Sequence, residues 1–554
     1  MLEESNSLNP AAPSFLTGPM EPRDYQVSIA ASALRSNTLV VLPTGLGKTM
    51  VAALVCDSRL REFADVPASR EWASSGRIAF LAPTKPLAVQ HRDTFMRLFA
   101  SLPPERFSLL TGETDPDERR KAWSDPAVTF VFATPETVLN DTRAGRASMK
   151  EFVLMIFDEA HRCVRDYSYT ELARRYLEGA LHPLILGLTA SPGGSEERIS
   201  EIVENLRIEK VEARTEEDSD VREYVEETKV EWVRVTLPEE FQDIVAQLKA
   251  IYSEKVGKLK AMGFLPQLKR GQWPSKKALL QSRAAILSRL KGAERNSNYQ
   301  GMLFGALVAQ AQGVMVLHAI ELTESQGSGT LKSYLSSLGE GRNRSSRALL
   351  RDERWQKVER EAEGLRVEHP KLEKVKEIVE EQLGRKEDSK IIIFTQYRDT
   401  IESILSVLSP LKGAKAVRFV GQATKGEGDR GMSQKLQTEM LEKFREGREF
   451  NVLVSSSIGE EGLHVPDVDL VVFYEPVPSE VRSIQRKGRT GRTMPGRVVI
   501  LVAEGSMDES YLYSAVRKEK RMGEIIRKMK GGAGRPPKGR ADEGRGPTLL
   551  DYMS

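Results

Sequence analysis

The stretch Leu42-Pro43-Thr44-Gly45-Leu46-Gly47-Lys48-Thr49 limits the folds open to this chain more than any other. It follows the apolar run Leu39-Val40-Val41 and opens an Ala/Val-rich segment, Met50 to Cys56, that reads as a helix. Strand, glycine-rich turn and helix start together build a phosphate cradle. Backbone N–H groups at a helix N-terminus point at an anion, and the helix dipole favours negative charge there. Gly45 and Gly47 let the backbone approach phosphate oxygens closely, Lys48 is expected to reach the β- and γ-phosphates, and Thr49 to hold Mg²⁺. The strict phosphate-loop pattern has glycine where Leu42 stands.

Further buried-type strands follow at Ile78–Ala82, Phe130–Ala133, Phe152–Phe157 and Leu184–Leu188, with helical patterns such as Leu87–Phe99 between them. Near-continuous apolar strands alternating with helices predict a doubly wound parallel sheet, an α/β fold. Each run ends in a polar cluster: Pro83-Thr84-Lys85, Thr134-Pro135-Glu136, Asp158-Glu159-Ala160-His161 and Thr189-Ala190-Ser191. Ligands of such sheets sit outside the C-terminal strand ends. A carboxylate at a strand end facing the phosphate loop suits Mg²⁺, which gives Asp158 that task and leaves Glu159 to orient or activate water. Gln26, shortly before the loop, carries a donor and an acceptor that match the adenine edge.

From Leu237 the pattern changes to helical spacing without buried-type strands, through Phe241, Ile244, Val245, Leu248 and Ile251. Residues 237–363 are therefore expected to form an all-helical insert. Between Lys255 and Gly292 stand ten Lys or Arg residues and no Asp or Glu. Lys269-Arg270 and Lys276-Lys277 flank Trp273, a composition suited to a nucleic-acid backbone with some base stacking.

Strands then return at Ile391–Phe394, Val417–Val420, Asn451–Val454, Leu470–Tyr474 and Val498–Val502, predicting a second parallel sheet without a phosphate loop. The segment after Ser479 carries Gln485, Arg489 and Arg492; the two arginines, three apart on a helix, share one face. Guanidiniums facing another domain's nucleotide would act as arginine fingers.

The expected domains are a mobile arm (1–17), a first sheet domain (18–236), the insert (237–363), a second sheet domain (364–528) and a basic, disordered tail (529–554). The chain has 554 residues, 82 Lys+Arg against 79 Asp+Glu, and 2 cysteines, Cys56 and Cys163. The near-neutral balance excludes an argument from net charge, and the cysteines show no metal-ligand spacing. We expect a cytoplasmic protein with no membrane partner, since no apolar run approaches 18 residues.

The motifs Arg23–Gln26, Leu42–Thr49, Ala82–Gln90, Thr111–Glu113, Ala133–Thr137, Asp158–His161 (DEAH), Thr189–Gly193, Ile393–Tyr397, Ser455–Pro466 and Gln485–Arg492 resemble, in order, those of superfamily two helicases. The set looks most like the helicase part of the archaeal Hef family, related to the Fanconi-anaemia M-type fork translocases. The resemblance implies two RecA-like domains hydrolysing ATP with Mg²⁺. It assigns Arg23, Gln26, Thr44, Gly45, Leu46, Gly47, Lys48, Thr49 and Gly462 to nucleotide, and Thr49 and Asp158 to the metal. Glu159, Lys48, Gln485, Arg489 and Arg492 become catalytic, while His161, Thr189 and Ser191 couple hydrolysis to strand grip. Nucleic-acid contacts fall on Thr84, Lys85, Gly112, Thr134, Thr395, Gln396, Gly421 and Ser455, and the insert matches a thumb-like domain that engages branched DNA. His464 stands where the family usually has Asp after Gly462-Leu463.

The expectation is an ATP-dependent helicase or translocase on forked or branched DNA in replication-fork repair and recombination. No nuclease activity is expected, because no nuclease module follows in this sequence. Two alternatives remain: a double-stranded RNA helicase or sensor, and a module that uses ATP to clamp or remodel protein–DNA complexes without unwinding. Leu549, Tyr552 and Met553 match the apolar anchors of a sliding-clamp-binding peptide, with Gly546 in place of its glutamine.

Overall fold

Strands apolar on both faces need cover on both faces, and the computed structural model shows how the chain supplies it. It describes residues 14–18, 21–43, 45–64, 76–193, 195–215, 218–224, 229–266, 273–293, 298–340, 343–421, 431–447, 449–456, 468–476, 497–513, 517, 524–525 and 527. The first unit runs α1 (Asp24–Ala33), β1 (Thr38–Val41), α2 (Lys48–Ala64), β2 (Arg77–Leu81), α3 (Lys85–Leu98), β3 (Phe107–Leu110), α4 (Pro116–Ser124), β4 (Phe130–Ala133), α5 (Pro135–Arg143), β5 (Phe152–Phe157), α6 (Ser168–Gly179), β6 (Ile185–Thr189), α7 (Glu196–Asn205) and β7 (Lys210–Ala213). All its strand pairs are parallel, in the order β3-β4-β2-β5-β6-β1-β7. One face packs Leu39, Val41, Leu81, Met155 and Phe157 with Tyr169 and Tyr176 of α6. The other packs Val40, Phe80, Phe132 and Ile156 with Val51 of α2 and Phe95 of α3.

β8 (Lys229–Val235) follows and enters the other sheet. It pairs with the last strand over seven residues, from Lys229↔Arg497 to Val235↔Ala503. The expected limit of the first domain at residue 236 is corrected accordingly: 229–235 belong with the second sheet. Only half-buried on an edge, β8 lacks the continuous apolar run that marks a central strand, and β3 and β7 escaped the sequence reading for the same reason.

The insert is helical, as expected: α8 (Glu239–Ala261), α9 (Lys276–Lys291), α10 (Asn298–Ser325), α11 (Ser328–Gly339), α12 (Arg344–Leu350) and α13 (Glu353–Gly364). α10 is its axis, packed against α8, α9, α11 and α12. Its richest window has a mean hydropathy of 1.6, so the expectation that no apolar run approaches membrane length is corrected. Among the described residues it is the one helix long and apolar enough by composition to cross a membrane, and 56% of that window is buried inside the protein. Gln310, Gln312, Thr323 and Glu324 on α10 are buried too, with partners in the bundle or beside it.

The second unit comprises α14 (Pro370–Arg385), β9 (Ile391–Thr395), α15 (Arg398–Leu408), β10 (Ala416–Phe419), α16 (Gln434–Glu446), β11 (Val452–Ser456), β12 (Leu470–Phe473) and β13 (Arg497–Ala503). Its sheet is parallel in the order β10-β11-β9-β12-β13-β8. The insert thus leaves this sheet at β8 and returns to it at α14. Beyond β13, Ile525 packs in the core of the first sheet.

Two parallel sheets with a helical bundle between them in the chain agree with the fold class read from sequence. The N-terminal arm to residue 13 and the tail with Leu549, Tyr552 and Met553 lie outside the described residues.

Candidate functional site: the C-terminal edges of the two sheets

The phosphate loop leaves β1 between β6 and β7 and is held from below. Tyr25 Oη donates to the Leu46 carbonyl at 2.8 Å and Gln26 Nε2 donates to the same oxygen at 3.1 Å. Gln26 Oε1 accepts from the Arg23 N–H at 3.0 Å. The Gln26 amide, expected to read adenine, is therefore buried and braces the loop at both of its ends. Gly45 and Gly47 have φ of +94° and +75°, a region that L side chains rarely adopt, and a Cβ on Gly47 would overlap the Gln26 amide. Lys48 Nζ donates to the Leu42 carbonyl at 2.9 Å, folding the ammonium over the loop. Thr44 lies outside the described residues.

Leu42 N–H donates to the Thr189 carbonyl at 3.1 Å, tying the loop to the end of β6. On the other side of β6, Asp158 follows β5. Its N–H donates to the Leu81 carbonyl and its own carbonyl accepts from Tyr169 Oη at 2.8 Å. The Asp158 Oδ2 lies 2.8 Å from His91 Nε2, with both side chains buried. Burial pushes this carboxyl up, but the charge and hydrogen bond of His91, with Lys48 adding, bring it below the usual carboxylate range.

Glu159 adopts a left-handed backbone, φ 49° and ψ 47°, which costs a non-glycine residue about 1–2 kcal/mol. It turns the chain sharply so that Glu159 Oε2 meets His161 Nδ1 at 3.2 Å. The same ring nitrogen is 3.2 Å from Thr189 Oγ1, which donates to the Ser191 carbonyl and accepts from the Ser191 N–H. Residues 161, 189 and 191 thus form one bonded line at the end of β6, with the Glu159 carboxylate in charge contact at its start.

Strand order then sets a sequence of groups along this edge: Gly112 after β3, Thr134 after β4, Thr84 and Lys85 after β2, Asp158 and Glu159 after β5, Thr189 and Ser191 after β6, and the phosphate loop after β1. Thr84 and Thr134 are the N-caps of α3 and α5. Lys85 pairs with Glu113 of the Thr111–Glu113 motif.

The second sheet repeats the plan, with Gly421 after β10, Ser455 in β11, Gln396 after β9 and Glu475 after β12. Two of the expected strand contacts have their side chains turned inward. Thr395 and Ser455 are buried: the Thr395 hydroxyl donates to Glu475 Oε2 at 3.2 Å and Ser455 Oγ donates to the Ser456 carbonyl at 3.0 Å, so neither side chain faces outward. Gln396 is half-buried, and its N–H donates to Glu475 Oε1. Behind it the insert is bonded to this sheet. Gln326 accepts from Thr400 Oγ1 at 2.8 Å, and Lys371, paired with Asp508 in a site closed to solvent, also donates to the Ser325 carbonyl at 3.3 Å. Gln485, Arg489, Arg492, Gly462 and His464 lie outside the described residues.

In the insert, Lys276 and Lys277 are exposed in the first turn of α9 and Trp273 is 45% exposed just before them. Lys255 is not available to a ligand: it is buried between Glu254 and Asp352, and Lys258 pairs with Glu254 at 2.7 Å. The acids flanking the basic stretch in sequence and in space neutralise its start. Lys269 and Arg270 lie outside the described residues.

Sequence reasoning missed His91, Tyr25, Tyr169, Gln326 and Glu475. The signal for His91 was its place in the stripe Ala88, His91, Phe95, Leu98, the buried face of α3. The others act through tertiary bonds with no local pattern.

Comparison with known proteins agrees with this arrangement. Residues 23–199 match the DEAD/DEAH box helicase model, 370–494 the helicase conserved C-terminal domain, and 240–369 the helical bundle of an ATP-dependent RNA helicase model. The crystal structure of the Pyrococcus furiosus Hef helicase domain is 44% identical, covering 89% of this chain and 98% of that one, with a TM-score of 0.67. A Methanocaldococcus jannaschii protein named as an ATP-dependent RNA helicase is 38% identical over 510 residues, 92% of this chain and 61% of its own. The Neurospora crassa ATP-dependent DNA helicase mph1 is 35% identical over 507 residues, 88% of this chain and 41% of its own. The chain spans less than two thirds of the length of either relative. With a solved helicase domain matched almost end to end at this identity, the chain belongs to the Hef-type DEAH-box helicases of superfamily two.

Proposed function

We propose that the chain is an ATP-dependent DNA helicase or translocase acting on forked or branched DNA. The observation that carries this is the division of the first sheet's edge. Groups suited to a nucleoside triphosphate occupy the β5-β6-β1 half, and Thr84, Gly112 and Thr134 occupy the β3-β4-β2 half. The line Glu159–His161–Thr189–Ser191 runs along the nucleotide half and ends where Leu42 is tied to Thr189, so a change at the phosphates is felt across three strand ends.

Each residue then has a task. Lys48 and the loop N–H groups hold the phosphates, and Glu159 orients the attacking water. Among the described residues no three His, Cys, Asp or Glu side chains form a metal cage. Mg²⁺ takes one or two protein oxygens and otherwise phosphate and water; Asp158 and the Thr49 hydroxyl would supply those oxygens. When bound, the ion neutralises charge on the transferring phosphoryl group. Gln485, Arg489 and Arg492 complete the site from the second domain. Gln396 and Gly421 at the second sheet, with Thr84, Gly112 and Thr134 at the first, hold one strand, and closure of one sheet on the other moves it. The name of the N. crassa relative, an ATP-dependent DNA helicase, supports the DNA reading.

A second reading, duplex RNA as the stimulating polymer, is favoured by the name of the M. jannaschii relative and of the matched helical bundle. One ATPase panel separates them: single-stranded DNA, a fork, a four-way junction and duplex RNA. The fork or junction is expected to stimulate most; stronger stimulation by duplex RNA would overturn the assignment. Lys48→Ala is expected to abolish stimulated turnover, and retained turnover would sink the mechanism.

A further inference from the structure

The insert presents an aromatic pair that the nucleotide site does not use. Trp273 stacks on Tyr252, with ring centroids 5.1 Å apart and planes 27° from parallel. Tyr252 is fully buried, and its hydroxyl donates to the Pro274 carbonyl at 3.0 Å, which pins the chain directly beside the indole. Trp273 nevertheless remains 45% exposed, one face on a rigid aromatic floor and the other left to solvent. An indole face open to water forgoes both the apolar burial and the stacking that a second flat partner would supply.

The charged residues next to it in sequence have one sign. Lys276 and Lys277, both exposed, stand three and four residues on, in a first helical turn without an acidic residue. Cations at that end oppose the helix dipole, so the placement weakens α9 rather than supporting it. An anion lying over the pair reverses that penalty.

The helix that the platform packs on, α10, also reaches the second sheet's edge. Glu321 on α10 lies within electrostatic reach of Lys276, of Tyr252 and of Tyr397, the residue after Gln396. Tyr511 Oη donates to Glu321 at 2.6 Å, and the His318 ring lies 6.0 Å from that of Tyr397. Lys276, Tyr252 and Tyr397 are thus all within electrostatic reach of one carboxylate.

We propose that Trp273, backed by Tyr252 and flanked by Lys276 and Lys277, is a stacking platform for an unpaired base of the strand that passes from Gln396 onto the insert. The inference rests on the reading of the sheet edges as the strand path. The base lies on the free indole face, which accepts any base, and the adjoining phosphates meet the two ammonium groups. Unpaired nucleotides at a junction, rather than duplex, are the ligand.

The test uses the full chain as wild type, Trp273→Ala, Trp273→Leu and Trp273→Phe. Binding is measured by fluorescence anisotropy to a labelled fork with unpaired arms, a single strand as DNA and as RNA, and a blunt DNA duplex. Trp273→Ala and Trp273→Leu are expected to lose roughly 5- to 150-fold on the fork and the single strands, the range of one base–aromatic stack. Trp273→Phe, which keeps a ring on Tyr252 and guards against misfolding of the smaller variants, should stay within about threefold of wild type, and the blunt duplex should not discriminate among the four. Wild-type affinity in Trp273→Leu would show a plain apolar cover and overturn the proposal. An equal loss on blunt duplex would overturn it as well. If the wild type itself ignores DNA but binds RNA with the same pattern, the platform stands and the DNA reading fails.

Discussion

Replacing His91 with alanine tests what holds the Asp158 carboxylate at the end of β5. The two side chains meet at 2.8 Å and are only 8% and 9% accessible, so water cannot take over the lost bond. Removing one partner of a buried pair costs about 3–5 kcal/mol, most of it the penalty for the charge left behind. The neighbouring Lys48 offsets part of that penalty, which places the expected loss at about 3 kcal/mol, near the lower end of this range. The loss is local to the first sheet, so native-state hydrogen exchange of the β5 and α3 amides is the suitable assay. Repeating it with Mg²⁺ and a non-hydrolysable ATP analogue supplies a new cation to Asp158. Wild type and variant should then differ by about half as much, because the cation substitutes for the imidazole. An equal loss under both conditions would refute the reasoning, as would a loss below about 1 kcal/mol, the scale of an ordinary exposed pair.

Asp141, fully buried, accepts from Arg119 at 2.8 and 3.0 Å, Trp123 at 2.9 Å and Arg146 at 2.8 Å. Burial opposes its ionisation, but these donors hold it below the usual carboxylate value of 3.8, so their contribution is full above that pH and lost on acidification below it. Asp141→Asn should destabilise the first sheet by about 3 kcal/mol at pH 7 and by less near pH 3, read from urea melts at the two pH values. Glu475 behaves oppositely: burial, with Asp508 nearby, raises its carboxyl from 4.5 to about 7. Its contribution is full below pH 4.5 and lost as pH rises through 7, on the order of 3 kcal/mol, and Glu475→Gln should flatten that slope between pH 5 and about 8. An unchanged slope in the variant would place the titration elsewhere. Gly47→Ala, strained at φ +75° and overlapping Gln26, should weaken binding of a fluorescent ATP analogue by at least about tenfold; unaltered affinity would show that the loop tolerates a side chain there.

Much of the architecture was legible because it rests on local pattern. The apolar runs at Val153–Phe157 and Ile391–Phe394 have no polar face to show water, which dictates a sheet covered on both sides, and the spacing from Phe241 to Leu259 dictates a helix. The phosphate loop and Asp158-Glu159 were readable for the same reason: each is a short segment whose chemistry depends on its own residues. Edge strands were not. Half-exposed β8 has no continuous apolar run, so its partnership with β13, far along the chain from Lys229↔Arg497 to Val235↔Ala503, appears only when the sheet is assembled.

The sequence by itself determined the set of chemical groups and the strand ends that carry them. Only the tertiary structure decided their order along an edge, since strand order β3-β4-β2-β5-β6-β1-β7 is not the order of the chain. It also decided which polar groups turn inward: Gln26 onto the loop, Thr395 onto Glu475, Lys255 between two acids. A residue type states what a side chain can bond to. Which bond it makes depends on the partner that packing brings within about 3 Å and on the water that packing removes.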